Sequence, residues 1–197
     1  LLAGASGLVG GHLLDLLLTS DNVARVVSLG RRPLDRASAK LDQRAVDFTR
    51  LDEVELPRVD VAFCCLGTTA AKAGSRAAFY KVDFSTVVQV AQAARAAGAD
   101  QFLLVSSIGA APSSWTFYLR VKGEVEQALA TLEFPALQIL RPSLLAGRRG
   151  EFRLGERVSL VIMSAVAPLL LGSWTRYRPI HADAVAKALV RIAKSAP

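Results

Sequence analysis

Apolar and polar residues along the first 30 positions predict one strand, a glycine turn, a helix and a second strand. After an apolar stub at residues 1–3 and the glycine-rich stretch 4–10, leucines recur at 13, 14, 17 and 18, while Asp15 lies on the other helix face. Residues 25–29 form a short β-branched run that closes at Gly30. The order and length are those of one βαβ unit.

The same alternation continues to about residue 140. Apolar runs predict strands at 45–48, 59–66, 102–105 and 137–140. Helical patterns occupy residues 84–97, with Gly98 as the C-terminal cap, and residues 118–132. Alternation this regular predicts an α/β fold: a doubly wound, mostly parallel sheet with helices on both faces.

Residues 147–178 break the alternation. A polar start is followed by the uncharged stretch 158–175, which Pro168 and Gly172 interrupt. We expect a helix there that covers a substrate; a contact with another subunit or a membrane surface is the alternative, and we expect no transmembrane span. Residues 183–193 predict a closing helix capped by Asp183. We therefore expect a core at 1–146 and a C-terminal segment at 147–197 within one structural domain.

Composition and charge narrow the class of ligand. The 197 residues are 52% hydrophobic and 21% charged, which indicates one globular domain. The net charge of +7 comes from dispersed basic residues, without a continuous run or interleaved aromatics. We therefore expect an anionic small ligand and no nucleic-acid partner.

The cysteines indicate a reducing compartment. Cys64 and Cys65 are adjacent in an apolar run, and neighbours on a strand point to opposite faces, so we expect two buried thiols and no disulfide. No signal peptide is visible. We expect a cytoplasmic protein without a metal ion.

The glycine-rich stretch is the first candidate binding site. Gly4, Gly7 and Gly10 are spaced by three and three, in contrast to the commoner Gly-x-Gly-x-x-Gly of dinucleotide sites. A helix that begins here would offer free N–H groups and the positive end of its dipole to a phosphate. A tight turn needed only for packing is the alternative.

The residues after the second strand indicate whether the ribose of a dinucleotide carries a 2′-phosphate. A cofactor with a free ribose 2′-hydroxyl would favour Asp or Glu there, but the sequence has Arg31 and Arg32. Guanidinium groups match a phosphate bidentately, so a 2′-phosphate is the better interpretation. A solvated pair of arginines is the alternative.

Three residues predict proton-transfer chemistry. Tyr118 and Lys122 lie four apart on a predicted helix and so share a face. An ammonium beside a phenol favours the phenolate, which makes the hydroxyl a usable proton donor. Ser107, at a strand end, could polarise a carbonyl. A surface Tyr–Lys pair would have the same spacing.

Together these residues resemble the short-chain dehydrogenase/reductase superfamily. Within it, the chain is similar to an atypical branch that includes the human Tat-interacting protein and bacterial relatives. The resemblance covers essentially the full chain. It rests on the following motifs: Gly4-Ala5-Ser6-Gly7-Leu8-Val9-Gly10, Leu66-Gly67-Thr68-Thr69 with Lys72-Ala73-Gly74, Ser106-Ser107, Tyr118-Leu119-Arg120-Val121-Lys122-Gly123-Glu124 and Leu140-Arg141-Pro142-Ser143.

The resemblance implies a role for each candidate residue. It implies NADP(H) as the cofactor and Ser107, Tyr118 and Lys122 as the catalytic group. The asparagine that completes a proton relay in many relatives cannot be placed in this sequence. The implied cofactor contacts are Gly4, Ser6, Gly7, Leu8 and Val9 for the pyrophosphate, Arg31 and Arg32 for the 2′-phosphate, Asp47 and Phe48 for the adenine, Leu66, Gly67 and Thr68 toward the nicotinamide ribose, and Pro142, Ser143, Leu144 and Leu145 on the carboxamide side, with Ser106, Tyr118 and Lys122 completing the site.

The expected function is therefore hydride transfer between NADP(H) and a small carbonyl or alcohol substrate. A redox sensor or regulatory scaffold without turnover is the first alternative. A nucleotide-sugar epimerase or dehydratase is the second, although the short segment after Gly147 leaves little room for a large sugar-nucleotide domain. A homodimer through the helices that contain Val87 and Tyr118 is left open.

Overall fold

Six parallel strands form the main sheet of the computed structural model, which describes residues 1–146 and 177–195. Their spatial order is β3-β2-β1-β4-β5-β6, so the order reverses between β1 and β4. This confirms the predicted doubly wound sheet. The strands are β1 (Leu2–Ala3), β2 (Val26–Gly30), β3 (Leu41–Ala45), β4 (Val61–Cys64), β5 (Gln101–Val105) and β6 (Ala136–Leu140).

Helices connect these strands except β2 and β3, which a loop joins. A 3-10 helix at Phe48–Glu53 follows β3, and a π-helical turn at Lys81–Ser85 joins two helices into one continuous segment. A small parallel pair, β7 (Leu145–Ala146) and β8 (Ile180–His181), lies beyond β6. The helices are α1 (Leu8–Thr19), α2 (Ala70–Ala73), α3 (Arg76–Tyr80), α4 (Thr86–Ala96), α5 (Phe117–Ala130) and α6 (Ala182–Ser195).

The sheet has an apolar core on each face. Along β5, Phe102 and Leu104 pack into the core that includes residues of α4 and α5, whereas Leu103 between them packs into the core that includes residues of α1 and α6. Successive side chains on a strand point to opposite faces, and both faces here are covered. This explains why the buried strands read as continuous apolar runs.

Strand three was predicted wrongly. The structure places β3 at Leu41–Ala45, so of the predicted residues 45–48 only Ala45 is in the strand. Within the described residues β3 pairs only with β2, and an edge strand tolerates polar residues such as Asp42 and Arg44. The apolar signal came from Val46 and Phe48, which pack into the core after the strand has ended.

Other boundaries shift by smaller amounts. Strand four is shorter than predicted: β4 spans Val61–Cys64, and residues 59–60 and 65–66 lie outside it. Gly98 follows α4 with a φ of +88°, as expected for a residue that ends a helix. Val87 is fully buried in the core, so its own side chain is not available for a dimer contact.

The C-terminal segment is described only in part. The predicted helix at 158–175 and the domain boundary at 147 lie outside the described residues. Helix α6 packs on α1 through Val185, Ala186 and Leu189. Asp183 lies near the start of α6, as predicted, and accepts a bond from Lys187 at 3.1 Å, but it lies inside the first turn and not at the N-cap. Among the residues the structure describes, no helix is long and apolar enough to cross a membrane.

Candidate functional site

Two glycines allow the loop between β1 and α1 to pack against its surroundings. Gly4 has a φ of +91°, and a Cβ built on it would lie 2.6 Å from the carbonyl carbon of Cys65. A Cβ on Gly10 would lie 2.1 Å from the carbonyl oxygen of Gly4. Both distances are far below van der Waals contact. Steric fit therefore requires glycine at these two positions, whichever ligand the loop binds.

The start of α1 is suited to an anion. Gly7 is the residue before the helix, and no side chain there caps the first-turn N–H groups. The Gly7 N–H itself donates to the Gly4 carbonyl at 2.9 Å, while Ser6 is exposed, Leu8 half-buried and Val9 buried. Uncapped N–H groups and the helix dipole favour a phosphate at this end.

A cleft of about 270 Å³ lies beside this loop. One wall is formed by the glycine loop and α1, and the other by residues 34–36, which follow β2. Arg36, in that second wall, pairs with Asp15 of α1. The residues that line the cleft are Ala5, Ser6, Gly7, Gly11, Leu14, Leu34, Asp35 and Arg36.

The residues expected at the adenosine end lie near the carboxyl ends of β2 and β3. Arg31 and Arg32 are exposed and directly follow β2, outside the residues that line the cleft. Asp47 is exposed and accepts hydrogen bonds from the backbone N–H of Thr49 at 2.9 Å and from its hydroxyl at 2.7 Å. These bonds hold the pKa of Asp47 below its usual value. Phe48 is half-buried against the core.

Tyr118 and Lys122 occupy successive turns of α5, as their spacing predicts. The Tyr118 side chain is 37% exposed, and its ring lies 5.6 Å from the ring of the buried Phe79. Lys122 is only 3% exposed. Long cationic side chains are almost never this buried without a partner.

The partner of Lys122 is Asp83, which sequence reasoning missed. Lys122 Nζ lies 2.8 Å from Asp83 Oδ1, and the Asp83 side chain is fully buried. The other carboxylate oxygen accepts from the backbone N–H of Thr68 at 2.9 Å. Asp83 thus connects α5 to the loop after β4, which contains the predicted contacts Leu66, Gly67 and Thr68.

A signal for Asp83 was present in the sequence. Phe79, Asp83, Val87 and Val90 share one face at helical spacing, and the other three are buried apolar residues. An acid on an apolar helix face requires a buried partner. The sequence has one asparagine, Asn22, which lies after α1 and so does not complete a relay at this site.

The two serines at the end of β5 differ in their surroundings. Ser106 is buried and its hydroxyl donates to Glu126 at 2.5 Å, where Arg141 also donates from Nε at 3.1 Å. Ser107 is half-buried, and its hydroxyl makes only a 3.4 Å contact with the carbonyl of Ile108. The Ser107 hydroxyl is therefore the freer of the two to contact a ligand.

The loop that contains Ser107 is held against α5. A Cβ on Gly123 of α5 would lie 2.2 Å from the carbonyl carbon of Ala111, so helix and loop approach closely. Gly109, with a φ of +80°, lies against Leu119. This packing keeps Ser107 and the Tyr118–Lys122 turn at the same end of the sheet.

The segment after β6 completes the predicted site. Pro142 accepts from the Ile108 N–H at 2.9 Å, and the Ser143 hydroxyl donates to the carbonyl of Arg178. Leu144 is 40% exposed, and Leu145 enters β7. The structure thus places this segment beside the loop after β5.

The two cysteines are free thiols. Cys64 is buried, and burial raises the pKa of its thiol to about 11. Cys65 is half-buried, so only one of the two is as buried as predicted. Within 1–146 and 177–195 there is no group of three or more His, Cys, Asp or Glu residues that could hold a metal ion.

Comparison with known proteins identifies the family. Residues 1–196 match the model described as the NAD dependent epimerase/dehydratase family. The chain belongs to this family. This match, together with the relatives below, confirms the resemblance inferred from the motifs.

Curated relatives support the same assignment. The chain is 43% identical to protein HTATIP2 of Rattus norvegicus over 158 residues, which cover 78% of this chain and 65% of the rat protein. It is 36% identical to protein fmp52, mitochondrial, of Aspergillus clavatus over 200 residues, which cover 96% of this chain and 84% of the fungal protein. The match thus spans about two thirds of the rat relative's length.

Solved structures of epimerase/dehydratase proteins share the fold. The chain superposes on a UDP-glucose 4-epimerase of Thermotoga maritima with a TM-score of 0.72 and 16% identity, covering 96% of this chain and 71% of that one. It superposes on the human epimerase family protein SDR39U1, solved with NADPH, with a TM-score of 0.65 and 18% identity, covering 98% and 69%. At these identities the likeness shows the fold alone.

Proposed function

We propose that this protein is an NADP(H)-dependent oxidoreductase that moves a hydride between the nicotinamide and a small carbonyl or alcohol substrate. The observation that carries the proposal is the buried Lys122 one helical turn after the partly exposed Tyr118. Ser107 lies at the end of β5, whose following loop packs on the same helix. Membership of an NAD-dependent family supports the class of cofactor.

The residues present fit a dinucleotide. The uncapped start of α1 and the close approach of Gly4 would accommodate a pyrophosphate, held by Gly4, Ser6, Gly7, Leu8 and Val9. Gly67, in the loop after β4, is exposed and lies beside the Asp83–Lys122 pair. Because it has no side chain, a ribose would be able to approach the loop closely at this position. When bound, the cofactor supplies or accepts the hydride.

The remaining chemistry belongs to the chain itself. Tyr118 would donate its phenolic proton to the substrate oxygen as a carbonyl is reduced, and Ser107 would hydrogen-bond the same oxygen. Lys122 would hold the ribose and favour the phenolate of Tyr118 after proton transfer. Phe79 packs against the Tyr118 ring and would limit its rotation.

The preference for a 2′-phosphate can be tested at Arg31. We expect wild type to bind NADPH more tightly than NADH, and Arg31→Ala to lose about tenfold of that preference, because charged hydrogen bonds are worth about 1.5–3 kcal/mol and less when exposed. Arg25→Ala is the matched control, because Arg25 is an exposed arginine at the opposite end of β2. Equal affinity of wild type for NADPH and NADH would contradict the proposed preference for NADP(H).

The proton donor can be tested at Tyr118. With any carbonyl substrate that wild type reduces, Tyr118→Phe should lower kcat by about 10²–10⁴, the usual contribution of a general acid. Tyr80→Phe is the control: Tyr80 precedes the π-helical turn and stacks on Phe84 at 4.7 Å. Unchanged turnover in Tyr118→Phe would refute its role.

Two alternatives give different results in the same assays. A redox sensor would bind NADPH tightly yet reduce no member of a broad carbonyl panel. A nucleotide-sugar epimerase would interconvert UDP-hexoses without net oxidation of the cofactor; the family name and the similarity to a UDP-glucose 4-epimerase favour including it. A cytoplasmic location stays a prediction, and the fungal relatives are named mitochondrial.

A further inference from the structure

The pair formed by Lys122 and Asp83 is the most completely buried ion pair among the residues described. The two side chains are 4% and 0% exposed, whereas each of the other pairs has at least one side chain with substantial exposure. Burying two charges costs several kcal/mol per ion before their attraction offsets it. Such a pair is weak as a source of stability.

Asp83 lies in an unusual stretch of helix. The π-helical turn Lys81–Ser85 places it between α3 and α4. π-helical turns insert an extra residue and occur frequently at functional sites. Here the turn carries the buried acid on the face that packs against α5.

The two oxygens of Asp83 contact two different parts of the candidate site. Oδ2 accepts from the Thr68 N–H at 2.9 Å, and Oδ1 lies 2.8 Å from Lys122 Nζ. At this distance the carboxylate holds the buried ammonium in place.

Gly67 lies directly against this pair. A Cβ on Gly67 would be 3.4 Å from Asp83 Oδ1 and 3.6 Å from Lys122 Nζ. Gly67 itself is exposed. A ribose that approaches at Gly67 would therefore come close to the Lys122 ammonium, which Asp83 holds from the buried side.

We propose that Asp83 is a positioning residue that prepares Lys122 for the cofactor. Its carboxylate holds the Lys122 ammonium beside Gly67, and it fixes the loop after β4 through Thr68. Affinity for a nicotinamide dinucleotide then depends on Asp83 through Lys122. The inference rests on the proposed cofactor site, but not on turnover or on the 2′-phosphate preference.

A double-mutant cycle tests this dependence. The affinities of wild type, Asp83→Asn, Lys122→Met and the double variant for NADPH and NADH are measured by titration of the cofactor's fluorescence. Asparagine can still accept from Thr68, so Asp83→Asn removes mainly the charge. We expect this substitution to weaken binding about tenfold when Lys122 is present and less than twofold in the Lys122→Met background, within the range of coupling between contacting residues.

Asp52→Asn, which removes a charge from an exposed position, should leave both affinities unchanged. Equal weakening by Asp83→Asn in both backgrounds would overturn the inference while leaving the oxidoreductase proposal standing. Coupling between Asp83 and Lys122 in NADH binding, in a protein that turns over no substrate, would support the inference and contradict the oxidoreductase proposal.

Thermal unfolding covers the case in which a variant folds poorly. Lys122→Met leaves the buried Asp83 carboxylate without its cationic partner, so the double variant should unfold at a higher temperature than Lys122→Met alone. A double variant no more stable than Lys122→Met would show that the two side chains do not act as a pair. Failure of wild type to bind either cofactor would reject both proposals.

Discussion

The clearest quantitative test of the close packing in the loop at Gly4–Gly10 is Gly10→Ala. The added methyl would lie 2.1 Å from the carbonyl oxygen of Gly4 and 2.7 Å from its carbonyl carbon. Even close C···O contacts in proteins are about 3.3 Å, so helix and loop would have to separate by about 1 Å. Both partners are backbone atoms, which cannot rotate away as a side chain can.

The expected cost follows from two opposing effects. Overpacking a close contact costs about 1–3 kcal/mol, occasionally more, and the backbone partners here favour the upper part of that range. Alanine recovers up to about 1 kcal/mol over glycine within a helix. The net loss should be about 2 kcal/mol. For a chain of 197 residues this lowers the Tm by about 4–8 °C.

Gly11→Ala is the matched control. It adds the same methyl to the next residue of α1, but there the nearest atom, the Ala5 carbonyl oxygen, would be 3.6 Å away, an ordinary contact. Its Tm should stay unchanged or rise by up to about 4 °C, since the gain in helix propensity is up to about 1 kcal/mol. Both are measured by circular dichroism without cofactor. Gly10→Ala as stable as Gly11→Ala would refute the steric role of Gly10.

Three further predictions follow from the same structure. Gly123→Ala should destabilise the protein by a similar amount, because its Cβ would lie 2.2 Å from the carbonyl carbon of Ala111; a Tm within 1 °C of wild type, roughly the size of a surface substitution, would contradict that packing. In a Cys65→Ser background, Cys64 should not react with a thiol reagent at about pH 8, because burial raises its pKa to about 11, and it should react once denaturant unfolds the protein. The lowered pKa of Asp47 means that its contribution to stability is present above the ordinary carboxyl pKa of 3.8 and is lost as the pH falls through the folded value. Wild type should therefore be more stable than Asp47→Asn near neutral pH, with the difference vanishing in acid; a difference that persists at about pH 2 would exclude this cause.

The sequence was informative where a residue pattern has one physical cause. β5 and β6 were predicted to within one residue, because each contains a short run of mainly apolar residues, interrupted in β6 by Gln138. The turn at Gly4–Gly10 was also recognisable, although two different causes would each select its glycines. Packing against Cys65 and room for a phosphate favour the same residue type, so spacing alone could not separate them.

Predictions failed where a side chain's role depends on contacts distant in sequence. β3 was misplaced because an edge strand can be polar while the apolar Val46 beyond it joins the core. Asp83 was overlooked because its partners, Lys122 and Thr68, belong to other elements, and only the fold brings them within 3 Å. Helical periodicity marked its face as buried but could not name the lysine that makes burial of an acid tolerable.

The position of β1 affects how the protein folds. Leu2 pairs with Ser28 on one side and with Phe63 on the other, and Gly4 rests on the backbone of Cys65. The loop at Gly4–Gly10 is therefore not shaped until a segment about 60 residues later in the chain has docked, and such non-local contacts slow folding. A ligand of this loop can therefore bind the folded sheet but not the unfolded chain. Raising its concentration should raise the unfolding temperature.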